Sequence, residues 1–225
     1  MANIFPKGTN LILLKAIAVI SLAGGLVPLA IWYYFTPKYS RVGYEPVQPV
    51  AFDHSIHVKQ LGLDCRYCHS YVEVSGHSNL PTTQTCMTCH TQVAKDNPKL
   101  QPVRDSWSTG QPISWVKVHN VPDYAYFNHS AHVNRGVSCV SCHGQVNEMT
   151  VVYQHESQSM GWCLACHRNP KEFVRPIAAD KPGETSPIFN LDWTPPKDKT
   201  HAQIGAELVK DWKINPPKDC AGCHR

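Results

Sequence analysis

The sequence predicts a fold of short α-helices and irregular loops, preceded by one helix that spans a membrane. Of the 225 residues, 18 are proline and 13 are glycine, so long regular elements would be interrupted at many points. An uncharged stretch lies near the N-terminus, and ten cysteines fall into five pairs of identical spacing. Charged residues make up 17% and the formal net charge is +4, which does not favour a nucleic-acid-binding protein.

The uncharged stretch lies between Lys15 and Lys38 and is 22 residues long. As a helix it would extend roughly 33 Å, enough to cross the hydrocarbon core of a bilayer. It ends in the aromatic run Trp32–Phe35 rather than in a small-x-small cleavage site, and aromatic side chains favour the membrane interface. We therefore expect an uncleaved transmembrane anchor helix over residues 16–37, after a cytoplasmic N-terminal segment over 1–15.

Each cysteine pair is spaced as C-x-x-C and is followed directly by a histidine. On one turn of helix, positions i, i+3 and i+4 share a face, so two thiols can bond to the vinyl groups of one haem while the histidine binds its iron. Disulfides and thioredoxin-like pairs do not require that histidine, and zinc needs four ligands per site. The pattern predicts five covalently bound c-type haems, attached at Cys65/Cys68, Cys86/Cys89, Cys139/Cys142, Cys163/Cys166 and Cys220/Cys223, with the proximal iron ligands His69, His90, His143, His167 and His224.

An internal repeat organises the rest of the chain. It reads F-[DN]-H-S-x-H-V, then a glycine, then two C-x-x-C-H motifs, and it occurs at Phe52–His90 and at Phe127–His167. An iron that carries electrons without binding a substrate also needs a ligand on its distal side. The histidine pairs that open the repeats, His54/His57 and His129/His132, are spaced to supply two distal ligands per repeat.

The repeats define the domain organisation. Residues 52–90 and 127–167 would each form a module that binds two haems, joined to the anchor by a linker over 38–51. The Pro-rich segments 91–126 and 173–200 are expected to be wrapping loops, and 168–225 would add a short helix and the fifth haem site. So little chain remains per haem that the porphyrins would form much of the core. Ile204, Leu208 and Trp212 recur at every fourth position, which predicts an amphipathic helix over His201–Lys213.

The F-x-H-x-x-H pattern ahead of C-x-x-C-H resembles the small multihaem cytochromes of the c3/c7 group. In that group the first histidine of the pair caps the haem just downstream, and the second caps another haem nearby. The resemblance therefore implies that His54 and His57 are the distal ligands at the first and second haem sites. It implies the same roles for His129 and His132 at the third and fourth sites.

The fifth iron has no distal ligand in this scheme. Met160 and His119 are the candidates that the sequence favours, and the choice between them stays open. Methionine ligation would raise the reduction potential of that haem relative to histidine ligation. Three further histidines, His77, His155 and His201, are expected to be ordinary solvated or hydrogen-bonded side chains.

A closer resemblance covers nearly the whole chain. The N-terminal anchor, the five C-x-x-C-H motifs and the stretches "VHNVPDYAYFNHSAH" and "MGWCLACHR" resemble the pentahaem cytochrome c subunit of bacterial alternative complex III, a quinol:electron-acceptor oxidoreductase. The resemblance implies an electron relay within a respiratory or photosynthetic chain, from quinol towards a soluble copper protein or cytochrome c. It also implies three kinds of partner: an iron–sulfur subunit related to molybdopterin enzymes, multi-helix membrane subunits that bind quinol, and a monohaem cytochrome c.

Two other functions are compatible with several c-type haems. A self-sufficient membrane quinol dehydrogenase of the NapC/NrfH kind also has one N-terminal helix, but it usually carries a methionine shortly after its first C-x-x-C-H, and "CRYCHSYVEV" has none. A catalytic multihaem reductase needs an iron with an open or lysine-ligated position, and C-x-x-C-K does not occur in the sequence. We therefore do not expect the chain itself to turn over a substrate. Because haem of this type is attached outside the cytoplasm, the haem-binding part should lie on the periplasmic side of the bacterial cytoplasmic membrane, with the N-terminus inside.

Overall fold

The computed structural model describes residues 8–36, 41–179 and 181–224. Residues 1–7 of the predicted cytoplasmic segment lie outside the described residues, as do residues 37–40, where the predicted anchor meets the linker. The chain divides into two compact units, one up to Arg41 and the other from Val42 onward.

The first unit contains the helix α1, Thr9–Phe35. It begins at Thr9 rather than at residue 16, so Lys15 lies within the helix. The stretch Leu11–Phe35 has a mean hydropathy of 2.2 and is long and apolar enough to cross a membrane. Its large apolar side chains are exposed, for example Ile20 at 70% and Phe35 at 78%. A surface of this kind is stable in lipid, so the helix is compatible with membrane anchoring.

The second unit is built from short helices and connecting loops. Its described α-helices are α2 (Cys65–Cys68), α3 (Thr83–His90), α4 (Gln101–Thr109), α5 (His129–Val133), α6 (Val140–His143), α7 (Met160–Arg168), α8 (His201–Asp211) and α9 (Cys220–Cys223). A π-helical turn covers Ser55–Gln60, and 3-10 turns cover Pro98–Leu100, Val146–Glu148 and Pro170–Glu172. In the described part of this unit, β structure is limited to two isolated bridges. The predicted class of fold is therefore confirmed.

Each C-x-x-C-H motif coincides with one of the short helices, and three of these helices begin at a polar N-cap residue. The side chains of Asp64, Ser159 and Asp219 accept hydrogen bonds from backbone amides in the first turns of α2, α7 and α9. Such caps satisfy backbone amides that a helix of one or two turns leaves without partners. The polar residue ahead of the cysteines thus fixes where the helical turn begins.

The prediction that residues 91–126 form only a wrapping loop is wrong, because this segment contains α4. Asn97 caps the preceding 3-10 turn, and Pro102 lies in the first turn of α4, where a proline costs no hydrogen bond. Val103 is only 2% exposed and anchors the helix against α3. The many prolines suggested a loop, whereas two of them mark the starts of helical turns.

The amphipathic helix predicted over His201–Lys213 is confirmed as α8, which ends at Asp211. Thr200 and Gln203 form a reciprocal capping box at its start. The helix packs against the 3-10 turn at Pro170–Glu172, and Gly205 lies at the contact. A Cβ atom on Gly205 would lie only 1.9 Å from the carbonyl oxygen of Lys171, so backbone meets backbone here.

We expect Gly205→Ala to lower the free energy of unfolding of the haem-binding unit by about 1–3 kcal/mol, because the added methyl group overpacks this contact. The matched control is Gly161→Ala in α7, where nothing lies within 4 Å of the new Cβ atom. That substitution should raise stability by about 0.4–1 kcal/mol through the unfolded state. Thermal unfolding followed by visible circular dichroism would measure both changes. Equal effects of the two substitutions would contradict the packing of α8.

Among the described residues, two small clusters of buried apolar side chains pack against cysteines of the C-x-x-C-H motifs. One consists of Val72, Val133, Ile188 and Phe189 and packs against Cys65 and Cys139. The other consists of Val50, Met87 and Val103 and packs against Cys86. The protein interior is therefore concentrated where haem would be attached, as expected if the porphyrins complete the core.

Candidate haem-binding sites

The two repeats have the same local geometry at the residue before the first histidine. The carboxylate of Asp53 accepts hydrogen bonds from the Ser55 hydroxyl and the Ile56 amide, at 2.6 and 3.2 Å. The amide oxygen of Asn128 accepts the equivalent bonds from Ser130 and Ala131, at 2.8 and 3.1 Å. This residue therefore starts the helical turn that carries the histidine pair, which explains the D/N and S positions of the repeat.

The phenylalanine of each repeat holds both histidine rings. Phe52 contacts His54 edge-to-face at a centroid distance of 4.8 Å and stacks on His57 at 4.4 Å. Phe127 contacts His129 at 4.7 Å and stacks on His132 at 4.6 Å in the same two geometries. Offset and edge-on ring contacts of this kind fix ring orientation as well as position.

The second histidine of each pair faces a proximal histidine across a gap. The ring centroids of His57 and His90 lie 6.2 Å apart, and those of His132 and His167 lie 6.1 Å apart. When two imidazoles bind one metal, each through a bond of about 2 Å, their ligand nitrogens lie about 4 Å apart. The ring centroids lie farther apart than these nitrogens. The centroid distances of the two pairs therefore fit one iron between the two rings.

Most of the candidate ligands donate a hydrogen bond from Nδ1 to a backbone carbonyl, at 2.7 to 3.1 Å. The donor and acceptor residues are His57 and Asp53, His69 and Asn79, His90 and Val93, His129 and Gly76, His132 and Asn128, His167 and Pro217, and His224 and Tyr124. Such a bond leaves Nε2 as the ring nitrogen with a free lone pair, and it sets the direction of that lone pair. These histidines are therefore prepared to bind a metal through Nε2.

His54 lies in the interior with its Nδ1 atom buried and without a hydrogen-bond partner among the described residues. Burial, together with a smaller effect of the neighbouring His69, lowers its pKa to about 4. Burial also lowers the pKa of His129, and the neighbouring His69 adds to this lowering. Burial lowers the pKa of His143 to about 3, with contributions from His119, His129, His69 and His54. The lowered pKa values favour the neutral form of His54, His129 and His143, which is the protonation state in which histidine binds a metal.

The two candidates for the fifth distal ligand lie in different surroundings. His119 contacts His143, with its Nε2 atom 3.3 Å from the Nδ1 atom of that ring. Met160 is the first residue of α7 and is 67% exposed. Of the three histidines that were expected to be ordinary, His201 bonds to the Val174 carbonyl and His155 pairs with Glu156, while His77 is exposed.

Neighbouring cysteine thiols connect the five motifs in one order. A hydrogen bond between two thiols lowers the pKa of Cys65 and raises that of Cys139, which places the first and third motifs in contact. Burial raises the pKa of Cys68, and the nearby Cys86 of the second motif adds to the effect. Both thiols of a motif would become thioethers on haem attachment and would then no longer titrate. The pKa shifts of these thiols therefore indicate only which cysteines lie close to one another.

The third, fourth and fifth motifs are also connected through neighbouring cysteine thiols. Burial raises the pKa of Cys142 to about 12, with contributions from Cys166 and Cys163 of the fourth motif. Burial raises the pKa of Cys163, and Cys223 of the fifth motif adds to it. The Pro217 carbonyl, just before the fifth motif, accepts the hydrogen bond of His167. These relations make neighbours of the second and first motifs, the first and third, the third and fourth, and the fourth and fifth.

The two repeats also exchange backbone contacts, which sequence reasoning did not predict. The His54 amide donates to the carbonyl of Met149, which follows the third motif, at 3.1 Å. The His129 amide donates to the carbonyl of Gly76, which follows the first motif, at 3.0 Å. Lys59 and Glu148 form an ion pair across the same interface. Each histidine pair is thus held by the other repeat, and no local pattern in the sequence could show this.

The residues fit covalently attached haem. All ten cysteines are free thiols and lie in pairs on single helical turns. The ring centroids of two histidine pairs, His57 with His90 and His132 with His167, are 6.2 and 6.1 Å apart, which leaves room for a metal between the rings. The chain therefore has paired thiols and candidate iron ligands close together at these motifs.

Comparison with known proteins identifies the group to which this arrangement belongs. The profile of the family described as cytochrome c7 and related cytochrome c matches residues 50–106 and 125–225, more than half of the chain, including all five motifs. The chain is similar to the multiheme cytochrome c subunit of menaquinone reductase from Nitratidesulfovibrio vulgaris, with 29% identity over 54% of this chain and 68% of the relative. It is also similar to cytochrome c-552 of Maridesulfovibrio salexigens, with 25% identity over 66% of this chain but only 39% of that longer relative. The chain therefore belongs to the family of cytochrome c7 and related cytochromes c, multihaem electron-transport proteins that bind c-type haem covalently.

Proposed function

We propose that the chain binds five haems, one at each C-x-x-C-H motif. The support is that all five motifs lie on helical turns with both thiols free. At four of them the histidine is fixed by an Nδ1 hydrogen bond to a backbone carbonyl. When bound, the haems would supply reversible one-electron chemistry at iron.

The distal ligands that we propose follow from the ring geometry. His57 and His132 would bind the second and fourth irons, because they face His90 and His167 across 6.2 and 6.1 Å. His54 and His129 would bind the first and third irons, because the phenylalanine of each repeat holds the two rings in equivalent edge-to-face contacts. His54 also lies near His69, and His129 lies near His143.

Met160 is our proposal for the distal ligand of the fifth iron. His119 contacts His143 of the third motif, so it is not directed to the fifth site. Met160 precedes Cys163 by one helical turn, and Cys163 neighbours Cys223 of the fifth motif. A thioether at this position would make the fifth haem the one with the highest potential.

We propose that the protein relays electrons as a membrane-anchored subunit of a quinol-oxidising complex of the alternative complex III type. The observation that carries this proposal is the series of neighbouring motifs that links the second through the first, third and fourth to the fifth. We propose that this series is an unbranched relay with the second and fifth motifs at its ends. Such an order suits a relay between two partners rather than turnover of a substrate at one iron. A similar protein is the cytochrome subunit of a menaquinone reductase, which supports quinol-linked chemistry.

The proposed partners follow from that role. They are an iron–sulfur subunit related to molybdopterin enzymes, multi-helix membrane subunits that bind quinol, and a monohaem cytochrome c. A soluble copper protein or cytochrome c would accept the electrons. The helix α1 would anchor the chain in the bacterial cytoplasmic membrane with its N-terminus inside and the haem-binding unit on the periplasmic side.

Native electrophoresis of membranes solubilised in mild detergent tests the assembly. We expect covalent haem stain from this chain in a large complex that also contains the iron–sulfur subunit and the quinol-binding subunits, identified by mass spectrometry. A small band that contains this chain alone and still oxidises quinol would instead establish a self-sufficient quinol dehydrogenase of the NapC/NrfH kind. Intact-mass measurement of the same chain should give the mass of five attached haems.

A further inference from the structure

The histidine of the third motif differs from those of the other four motifs. His69, His90, His167 and His224 each donate from Nδ1 to a backbone carbonyl. The Nδ1 atom of His143 instead lies 3.3 Å from the Nε2 atom of His119. One proximal histidine of the five thus has a second imidazole as its hydrogen-bond partner.

The backbone that leads to His119 is held firmly. The side-chain amide of Gln48 donates to the Val116 carbonyl at 2.8 Å and accepts from the Val116 amide at 2.9 Å. Val118 is buried, and its neighbour His119 is half-buried. The two imidazole rings meet edge-to-face with their centroids 4.3 Å apart. This separation is too short for a metal between the rings, whereas the gaps of 6.1 and 6.2 Å elsewhere can accommodate one.

We propose that His119 is the hydrogen-bond partner of the iron ligand His143 and sets the orientation and basicity of that ligand, an inference that rests on the proposed haem site at Cys139/Cys142. His119 is then a positioning residue and not the distal ligand of the fifth iron. His143 donates from Nδ1 and His119 accepts at Nε2, so the proton of His119 resides on its own Nδ1 atom.

The consequence concerns the reduction potential of one haem. An acceptor at Nδ1–H increases the electron density on the ligand imidazole and raises its basicity. A more basic ligand stabilises ferric iron more than ferrous iron, which lowers the potential. An imidazole nitrogen is a stronger base than an amide oxygen, so the effect should be larger at the third site than at the four sites with a carbonyl acceptor.

The test compares His119→Leu and His119→Gln in the full-length protein, each with its haem content measured first. In His119→Leu we expect all haems to remain six-coordinate and low-spin, while one component of the potentiometric titration shifts to more positive potential. In His119→Gln the same component should shift less, because the amide oxygen resembles the acceptors at the other sites. Gln48→Ala keeps both histidines but loosens the segment, so it should shift that component slightly in the same direction.

Two results would overturn the inference while leaving the haem sites intact. A high-spin ferric signal in His119→Leu would show that His119 is an axial ligand, and an unchanged titration in both His119 variants would reduce its role to packing. Absence of haem from the Cys139/Cys142 peptide of the unaltered protein, read by mass spectrometry, would overturn the proposed haem site itself.

Discussion

Substitution of His132 by alanine is expected to convert one of the five haems from low-spin to high-spin while all five stay covalently attached. His132 faces His167 across 6.1 Å, and its ring is held by the stack on Phe127 and by the hydrogen bond to the Asn128 carbonyl. Alanine removes the imidazole that we propose as the distal ligand of the fourth iron. Electron paramagnetic resonance of the ferric protein, scaled to the total haem, would measure the high-spin fraction.

The repeat provides an internal replicate of this experiment. His57→Ala should give the same change at the second haem, because His57, Phe52 and Asp53 reproduce the geometry of the other repeat. His77→Ala is the matched control, since this histidine is exposed and its hydrogen bond to Ser75 is made by the backbone amide. An entirely low-spin His132→Ala protein would disprove the pairing of His132 with His167.

The fold could be predicted from the sequence wherever the governing pattern is local. The C-x-x-C-H motifs, the histidine pairs and α8 each depend on residues three or four positions apart, and helical geometry alone relates such residues. Even the roles of Phe52 and Phe127 follow from their fixed distance to the histidines.

The parts that could not be predicted depend on loops. His119 and His143 are 24 residues apart, and irregular chain brings them together, so no periodicity connects them. The contacts of His54 with Met149 and of His129 with Gly76 likewise join the two repeats through turns. The helix α4 was missed for a different reason, because the prolines of segment 91–126 suggested a loop, although Pro102 lies in the first turn of the helix. Buried polar contacts between distant loops carry no signature in a single sequence.

Removal of the fifth attachment site is expected to abolish electron flow from quinol to the soluble acceptor while four haems remain attached. The variant is Cys220→Ala with Cys223→Ala. Cys220 is exposed, and the two substitutions leave in place the backbone contacts that hold α9, namely the bridge between Ala125 and His224 and the bond from the Tyr126 amide to the Cys223 carbonyl. Haem content by the pyridine haemochrome method should fall from five to four per chain, and native electrophoresis would verify that the complex still assembles.

The opposite end of the order supplies the matched variant, Cys86→Ala with Cys89→Ala. If the second and fifth motifs are the two ends of an unbranched relay, both variants stop the overall flow, but they do so on different sides. In the variant that lacks the exit haem, quinol still reduces the four remaining haems. In the variant that lacks the entry haem, the acceptor still oxidises the four remaining haems once they have been reduced. Stopped-flow absorbance in the haem α-band distinguishes the two cases and assigns the entry and exit ends.

A branched arrangement predicts a different result. If the fifth haem were a side branch of the fourth, the Cys220/Cys223 variant would keep most of its quinol-to-acceptor activity with one haem fewer. Retained activity in that variant would therefore disprove the unbranched order, on which the proposed relay function rests.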